Sequence, residues 1–315
     1  MNKLLFIGNT RLGDAVMSTG LLNDLANYYN ARVTVVCGKV AAPLFEDCPF
    51  VENIIKINKK KYSLHWLDIW KKISLNKWDV ICDLRSTPII WFVKAKKRIV
   101  LSSSGDKIHR VKRLEKLNPS GKTPIPLVWI SKETILEAEK YLNKDIGPFI
   151  AIGPTANWPA KVWPSDNFVS LIKRILNFKE LKDCKVILVG GPGEELIGKE
   201  LCDKLVDIKP INLIGKPILP TAAIFSFSKI FIGNDSGLMH LSAATGIPTL
   251  GLFGPTDDRL YSPTGKNALF IRTPQSPEEL MDVPNFNHRT SPSLMGTLTV
   301  EMVENSIKDL LLRVE

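Results

Sequence analysis

Short apolar runs recur along the 315-residue chain, and each stops at polar or glycine-bearing positions. In the first half they cover residues 3–8, 32–37, 54–57, 80–84 and 98–101. Between the first two, residues 14–29 set Val16, Leu21, Leu22 and Leu25 at helical spacing, which predicts the first helix. After Gly147-Pro148 the pattern starts afresh with runs at 149–153, 185–189, 211–214, 230–233 and 249–253. Helical patterns at 167–176 and 194–205 fill the gaps, and Leu238, Leu241 and Ala244 mark another helix. Strands alternating with helices predict parallel sheets. The expected architecture is α/β, with doubly wound domains over 1–148 and 149–295. Residues 274–293, rich in Pro, Ser and Asn, are expected to be loop. A last helix over 300–312, within a terminal segment 296–315, is expected to lie back across the domain junction.

Composition narrows the class. The chain is 44% hydrophobic and 23% charged, as expected for a globular protein. No apolar run approaches the roughly 20 residues that span a bilayer, and the first run is too short for an export signal. The expected location is therefore the cytoplasm. Five scattered cysteines without a CxxC pair disfavour a disulfide framework or a zinc site. The net charge of +10 is uneven: residues 1–148 hold 25 Lys and Arg against 14 Asp and Glu, and the remainder 17 against 18. Such asymmetry suits a polyanion, but no nucleic-acid-binding motif accompanies it. An anionic lipid surface or an acidic glycolipid accounts for it equally, as does a solvated lysine-rich face.

The polar residues that end the strands carry the candidate chemistry. Ile232-Gly233-Asn234-Asp235-Ser236-Gly237-Leu238-Met239-His240 is a strand end, a turn and a helix start, and Phe253-Gly254-Pro255-Thr256-Asp257 ends the next strand. Open α/β sheets bind ligands there, and helix-start N–H groups suit a phosphate. Gly153-Pro154-Thr155 leads to Lys161-Val162-Trp163-Pro164, where Lys161 can act as a point charge on a phosphate and Trp163 reads as packing. In Gly190-Gly191-Pro192-Gly193-Glu194, the carboxylate either accepts from two vicinal hydroxyls or serves as a helix-start carboxylate. In the first half, Gly8-Asn9-Thr10-Arg11-Leu12-Gly13-Asp14 follows the first strand without GxGxxG spacing, so no nicotinamide cofactor is implied. Asp14 is either a first-turn or capping carboxylate or a general base. His240 reads as a proton shuttle or a packed histidine. The histidines have no ligand-like spacing, and no metal site is expected. Aspartate where G-x-S-x-G needs serine disfavours a Ser/His/Asp hydrolase.

Together these residues resemble glycosyltransferase family nine, the bacterial ADP-heptose:lipopolysaccharide heptosyltransferases. The family's GD pair is matched by Gly13-Asp14, its K-x-W-P by Lys161-Val162-Trp163-Pro164, and its GGP-x-E by Gly190 to Glu194. Its D-[ST]-G-x-x-H and FGPTD segments are matched by Asp235 to His240 and Phe253 to Asp257, and Thr299-Val300-Glu301 resembles the start of its last helix. Between Lys39 and Gly147 the match is poor. The resemblance implies a GT-B fold, in which two Rossmann-like domains face a central cleft, the first taking the acceptor and the second the nucleotide sugar. It implies an inverting transfer without metal or other cofactor, with Asp14 as base and Lys161 balancing charge on the leaving diphosphate. Gly13, Thr155, Ser236, Gly237, Gly254, Thr256 and His240 would line the donor, and Glu194 would bind the ribose. Asp235 would contact the donor sugar or order the phosphate loop. Arg11, Arg85, Arg98, Arg110 and Arg113 are candidates for an anionic acceptor. The implied partners are ADP-heptose, an anionic glycolipid and, transiently, the inner face of the inner membrane, with no nucleic acid. A nucleotide-sugar epimerase of the same architecture and a non-catalytic nucleotide- or nucleic-acid-binding module are the alternatives. An epimerase would want more acid/base groups in the second half, and a binding module would not need both Asp14 and Lys161.

Overall fold

The computed structural model describes residues 1–102, 107–143, 147–282, 284, 286–287 and 289–314. The chain divides into two compact units, Met1–Trp129 and Ile130–Glu315. In the first, β1 (Asn2–Ile7), β2 (Ala31–Gly38), β3 (Val51–Ile57), β4 (Trp78–Asp83) and β5 (Ala95–Val100) form a parallel sheet of order β3-β2-β1-β4-β5. The helices of this unit are α1 (Leu12–Tyr28), α2 (His65–Ile73) and the short α3 (Arg110–Arg113). Leu4 to Ile7 of β1 are fully buried, as expected of a central parallel strand covered on both faces. The long helix α1 is buried on more than one side. Leu127 N–H donates to Thr19 Oγ1 at 2.9 Å, and a Cβ at Gly20 would collide with the Ile125 backbone. The segment at Ile125 and Leu127 thus packs closely against this helix.

The second unit opens with α4 (Lys132–Tyr141) and builds a six-stranded parallel sheet of order β11-β10-β9-β6-β7-β8. Its strands are β6 (Phe149–Gly153), β7 (Lys185–Leu188), β8 (Ile211–Asn212), β9 (Ser228–Asn234), β10 (Thr249–Phe253) and β11 (Ala268–Arg272). Between them run α5 (Ser165–Ile175), α6 (Glu195–Lys204), α7 (Ile218–Phe225), α8 (Gly237–Thr245) and α9 (Asp258–Tyr261), with α10 (Pro277–Met281) and α11 (Val300–Val314) at the end. Phe168, Leu171, Ile172 and Ile175 of α5 share one core with Val303, Ile307 and Leu310 of α11.

Two expectations change. The helix α4 precedes residue 148 but packs on α7, and Lys216 lies over the Tyr141 ring. The compact units therefore part at 129/130, and Gly147-Pro148 falls inside the second. The last helix packs on α5, β10 and β11 of the second sheet. The 274–293 segment contains α10, whose Ser276 and Glu279 form a reciprocal capping box. The Ser-Pro-Glu-Glu spelling carried that signal.

Candidate active site

The second sheet reverses its strand order between β6 and β9. Open α/β sheets seat ligands at the carboxyl ends of strands at such a reversal. Gly153-Pro154-Thr155 leaves one of these two strands, and Asp235-Ser236-Gly237 leaves the other. Asn234 is fully buried and ties them together: its Nδ2 donates to Pro154 O at 2.9 Å, and its Oδ1 accepts from Trp163 N–H at 3.0 Å. Lys161 is thereby brought over the end of β9. Its Nζ donates to Asp235 Oδ2 and to Asp235 O, both at 2.9 Å, and lies 5.3 Å from the centre of the Trp158 ring. Lysine and aspartate side chains are only 11% and 8% exposed. An ammonium has three donors. Asp235 takes two of Lys161's.

Ser236 caps α8 in extended backbone conformation without using its own side chain. The first N–H groups of α8 therefore stand at the carboxyl end of β9 beside the Lys161–Asp235 pair, in an arrangement suited to an anion. At the end of β10, Gly254 allows Met295 to pack where a Cβ would collide with its sulfur. Arg272, at the end of β11, donates to Gly254 O at 3.1 Å and pairs with Asp258. Within this braced loop Thr256 Oγ1 is buried and has no hydrogen-bond partner among the described residues. A buried hydroxyl without a partner is costly unless a ligand or water meets it.

Glu194 sits after β7. Its Oε2 accepts from Gly191 N–H at 2.6 Å, so the loop holds one carboxylate oxygen in place. The next residue is braced the same way: the Gly193 N–H holds the Glu195 carboxyl below its ordinary range. Thr155 is buried at the end of β6, and His240 is buried in α8.

The terminal segment stitches these loops together. Leu294 N–H donates to Ala160 O at 3.0 Å, and Ser293 Oγ to Val162 O at 2.6 Å. Trp163 is fully buried edge-on to Phe168 and donates from Nε1 to Leu298 O at 2.8 Å. Its packing role is as expected. Trp163→Ala should therefore lower stability by about 3–5 kcal/mol, measured by urea unfolding. A change below about 1 kcal/mol would mean the segment is not held through this ring. Neither this stitching nor the parts of Asn234 and Arg272 were read from sequence. Asn234 had a signal, as a polar residue closing an apolar strand. Leu298, Gly254 and Asp258 stand well apart in sequence from the side chains they hold, so Trp163 and Arg272 had none.

In the first unit, the reversal lies between β1 and β4. Gly13 and Asp14 are the second and third residues of α1, so the cap position belongs to Arg11, whose side chain makes no capping bond. Asp14 is thus a first-turn carboxylate, not a cap. The loop before it is pinned to the end of β2, where Gly38 N–H donates to Asn9 O at 3.2 Å and a Cβ at Gly38 would collide with the Thr10 carbonyl. Arg11 is exposed. Arg85 follows β4 with its guanidinium 5.5 Å from the Trp66 ring, and its Nε has no partner among the described residues. Arg113 donates to Ser102 O at 3.2 Å, and Arg110 begins the same short helix. Arg98 leaves the candidate set: its guanidinium is spent on the carbonyls of Ile90, Val93 and Ala95. Among the described residues no group of three or more His, Cys, Asp or Glu could hold a metal ion. Burial pushes the thiols of Cys37 and Cys48 up to about 12 and about 11, so neither is a thiolate nucleophile near neutrality.

The chain is similar to known proteins over nearly its whole length. A lipooligosaccharide heptosyltransferase 2 of Campylobacter jejuni is 27% identical over 326 aligned positions, covering 95% of this chain and 97% of that protein. The solved ADP-heptose lps heptosyltransferase II of E. coli superposes with a TM-score of 0.76 at 21% identity, covering 99% of both chains. An E. coli heptosyltransferase solved with ADP gives 0.75 at 18%, covering 98% of this chain and 99% of that one. These structures share the GT-B type fold. The family model described as glycosyltransferase family 9 (heptosyltransferase) matches residues 109–285, more than half of the sequence. The chain belongs to that family and is a glycosyltransferase.

Proposed function

We propose that the protein transfers heptose from ADP-heptose to a hydroxyl of a lipopolysaccharide-core glycolipid, with inversion at the anomeric carbon. The observation that carries this reading is the buried Lys161–Asp235 pair beside the start of α8, at the strand reversal of the second sheet. Lys161 has one ammonium donor beyond those given to Asp235. It and the α8 amides meet the diphosphate, whose charge grows as the sugar–oxygen bond breaks. Thr256 Oγ1 and the Ser236-Gly237 amides supply further contacts, while Thr155, Gly254 and His240 shape the pocket. Asp235 holds Lys161 in place and orders the phosphate loop. The Glu194 oxygen not taken by Gly191 accepts from the ribose.

On the first unit, Asp14 takes the proton from the acceptor hydroxyl as that oxygen forms the new bond, and Gly13 lines the donor. Arg11, Arg85, Arg110 and Arg113 meet the anionic groups of the acceptor. The acceptor is a lipid, so the enzyme works against the anionic inner face of the inner membrane. The first unit takes the acceptor and the second the donor.

A fixed cation and helix-start amides do the work that other transferases give to a divalent ion. ADP is therefore expected to bind with the same affinity in EDTA as in magnesium, by titration calorimetry. Binding that vanishes with the chelator and returns with magnesium would contradict this. In a thermal-shift panel, ADP at a hundredfold excess over its dissociation constant should stabilise the protein by about 2.7 kcal/mol, and UDP or GDP by less. Preference for UDP or GDP would overturn the adenine assignment while leaving the transfer chemistry intact.

A further inference from the structure

The crossovers on either side of β4 leave a surface that the transfer chemistry does not use. Trp91 and Phe92 are 66% and 74% exposed on the turn Pro88–Phe92, and Tyr62, Leu64 and Leu67 are exposed at and before the start of α2. The two groups are joined: Trp70 of α2 donates from its indole to Phe92 O at 3.0 Å. The turn is also held from behind. Arg98 donates to the carbonyls of Ile90 and Val93 and lies 5.4 Å from the centre of the Trp91 ring. Large apolar side chains are thus presented outward on a fixed backbone. Helix α2 buries His65, Ile69 and Ile73 beneath them.

Cations surround this patch. Residues 56–98 hold 12 Lys and Arg against three acidic residues. Of the three, Asp68 is paired with Lys60 and Asp79 with Lys96, while Asp83 is buried under Thr87. Lys59, Lys61, Lys71, Lys72 and Lys94 are exposed, so cations outnumber carboxylates around the patch. An exposed apolar patch marks an interaction surface. A protein partner would more often meet a rim of mixed charge. Trp, Phe and Tyr within a ring of lysines match the layered chemistry of a bilayer surface, with acyl chains below and anionic headgroups above. Long lysine side chains reach the headgroup level while the rings enter the acyl boundary.

The geometry points to this patch as the element that docks the first unit on an anionic phospholipid bilayer, with Trp91 and Phe92 inserted and the lysines on the headgroup phosphates. Residues 58–64 leave the carboxyl end of β3, the end of the sheet at which Asp14 stands, while Trp91 and Phe92 lie just ahead of β5, by its amino end. Docking along this flank holds the unit at the lipid surface that carries membrane-anchored sugars. In that purpose the inference rests on the glycolipid-acceptor reading; the docking itself does not.

The test is vesicle binding by the full chain. Wild type should bind phosphatidylglycerol vesicles, bind phosphatidylcholine vesicles poorly, and lose binding as salt rises. Trp91→Ser/Phe92→Ser should weaken partitioning about tenfold or more with unfolding unchanged, because neither ring is buried. Acyl-brominated lipid should quench wild-type tryptophan emission, and Trp91→Phe should remove most of that quenching. Equal binding by the double variant, no quenching by brominated chains, or a concentration-dependent dimer abolished by the double variant without vesicle binding would each overturn the proposal. A second assay separates it from the function assigned above. The double variant should keep transfer to a delipidated, water-soluble acceptor and lose it toward the same acceptor in vesicles. Wild type that binds vesicles yet transfers to neither acceptor would refute the assigned function and leave the docking surface standing.

Discussion

Asp14→Asn should lower the rate of sugar transfer by about 10²–10⁴, the usual contribution of a general base. Stability and ADP affinity should scarcely change. The position of Asp14 makes the substitution informative: it is the third residue of α1, and the cap is Arg11. A first-turn carboxylate gains typically 0.3–1 kcal/mol from the helix dipole. Asparagine would forfeit that gain while keeping the size and the accepting oxygen of the side chain. It cannot take a proton from a hydroxyl. Single-turnover transfer, read beside urea unfolding and ADP calorimetry, checks the assignment. Near-normal transfer would make Asp14 a dipole-favoured carboxylate and leave the mechanism without its base.

Lys161→Ala should act on rate and stability together. Loss of one preorganised electrostatic contact to a developing charge costs roughly 10²–10³ in turnover. The same change strands the Asp235 carboxylate, whose side chain is 8% exposed and loses its partner. Removing one member of a buried pair typically costs about 3–5 kcal/mol. The two effects separate in the double variant Lys161→Ala/Asp235→Asn, which carries no stranded charge. Its stability should recover by a large part of that loss, while its transfer rate stays as low as that of Lys161→Ala. Recovery of both, measured by urea unfolding and single-turnover kinetics, would make the pair a brace rather than part of the chemistry.

The sheets were legible because parallel strands buried on both faces spell continuous apolar runs. Leu4 to Ile7 and Phe149 to Gly153 are buried throughout, and their limits were read to within a residue. Elements with less burial were harder. In α2, Trp66 and Trp70 flank the buried stripe of His65, Ile69 and Ile73, so aromatic residues sit on the faces where polar ones define a helix. β11 is an edge strand of intermediate burial, and its short run beyond Gly265 was not read as a strand. α4 lies ahead of the glycine-proline breaker, and a breaker marks a turn without saying on which side the core continues.

The site divides along similar lines. Strand-end polar residues were visible as punctuation, and Lys161, Asp235, Ser236 and Gly237 do converge. What was hidden depends on pairs distant in sequence. Lys161 and Asp235 are 74 positions apart, so the lysine could be read as a cation for phosphate but not as one already bound to a carboxylate. Arg98 looked like its neighbouring arginines. Only its three backbone acceptors distinguish a side chain that pins a turn from one offered to a ligand.

The central claim is sugar transfer from an ADP-linked donor to a lipopolysaccharide-core acceptor. It is tested most directly by incubating the purified chain in EDTA with ADP-heptose and a delipidated, heptose-deficient core acceptor. ADP and acceptor mass should then be followed together. Each ADP released should be matched by one acceptor gaining one heptosyl unit, with both signals lost in Asp14→Asn. Release of ADP without gain of mass by the acceptor, or consumption of a UDP- or GDP-sugar in place of ADP-heptose, would contradict it.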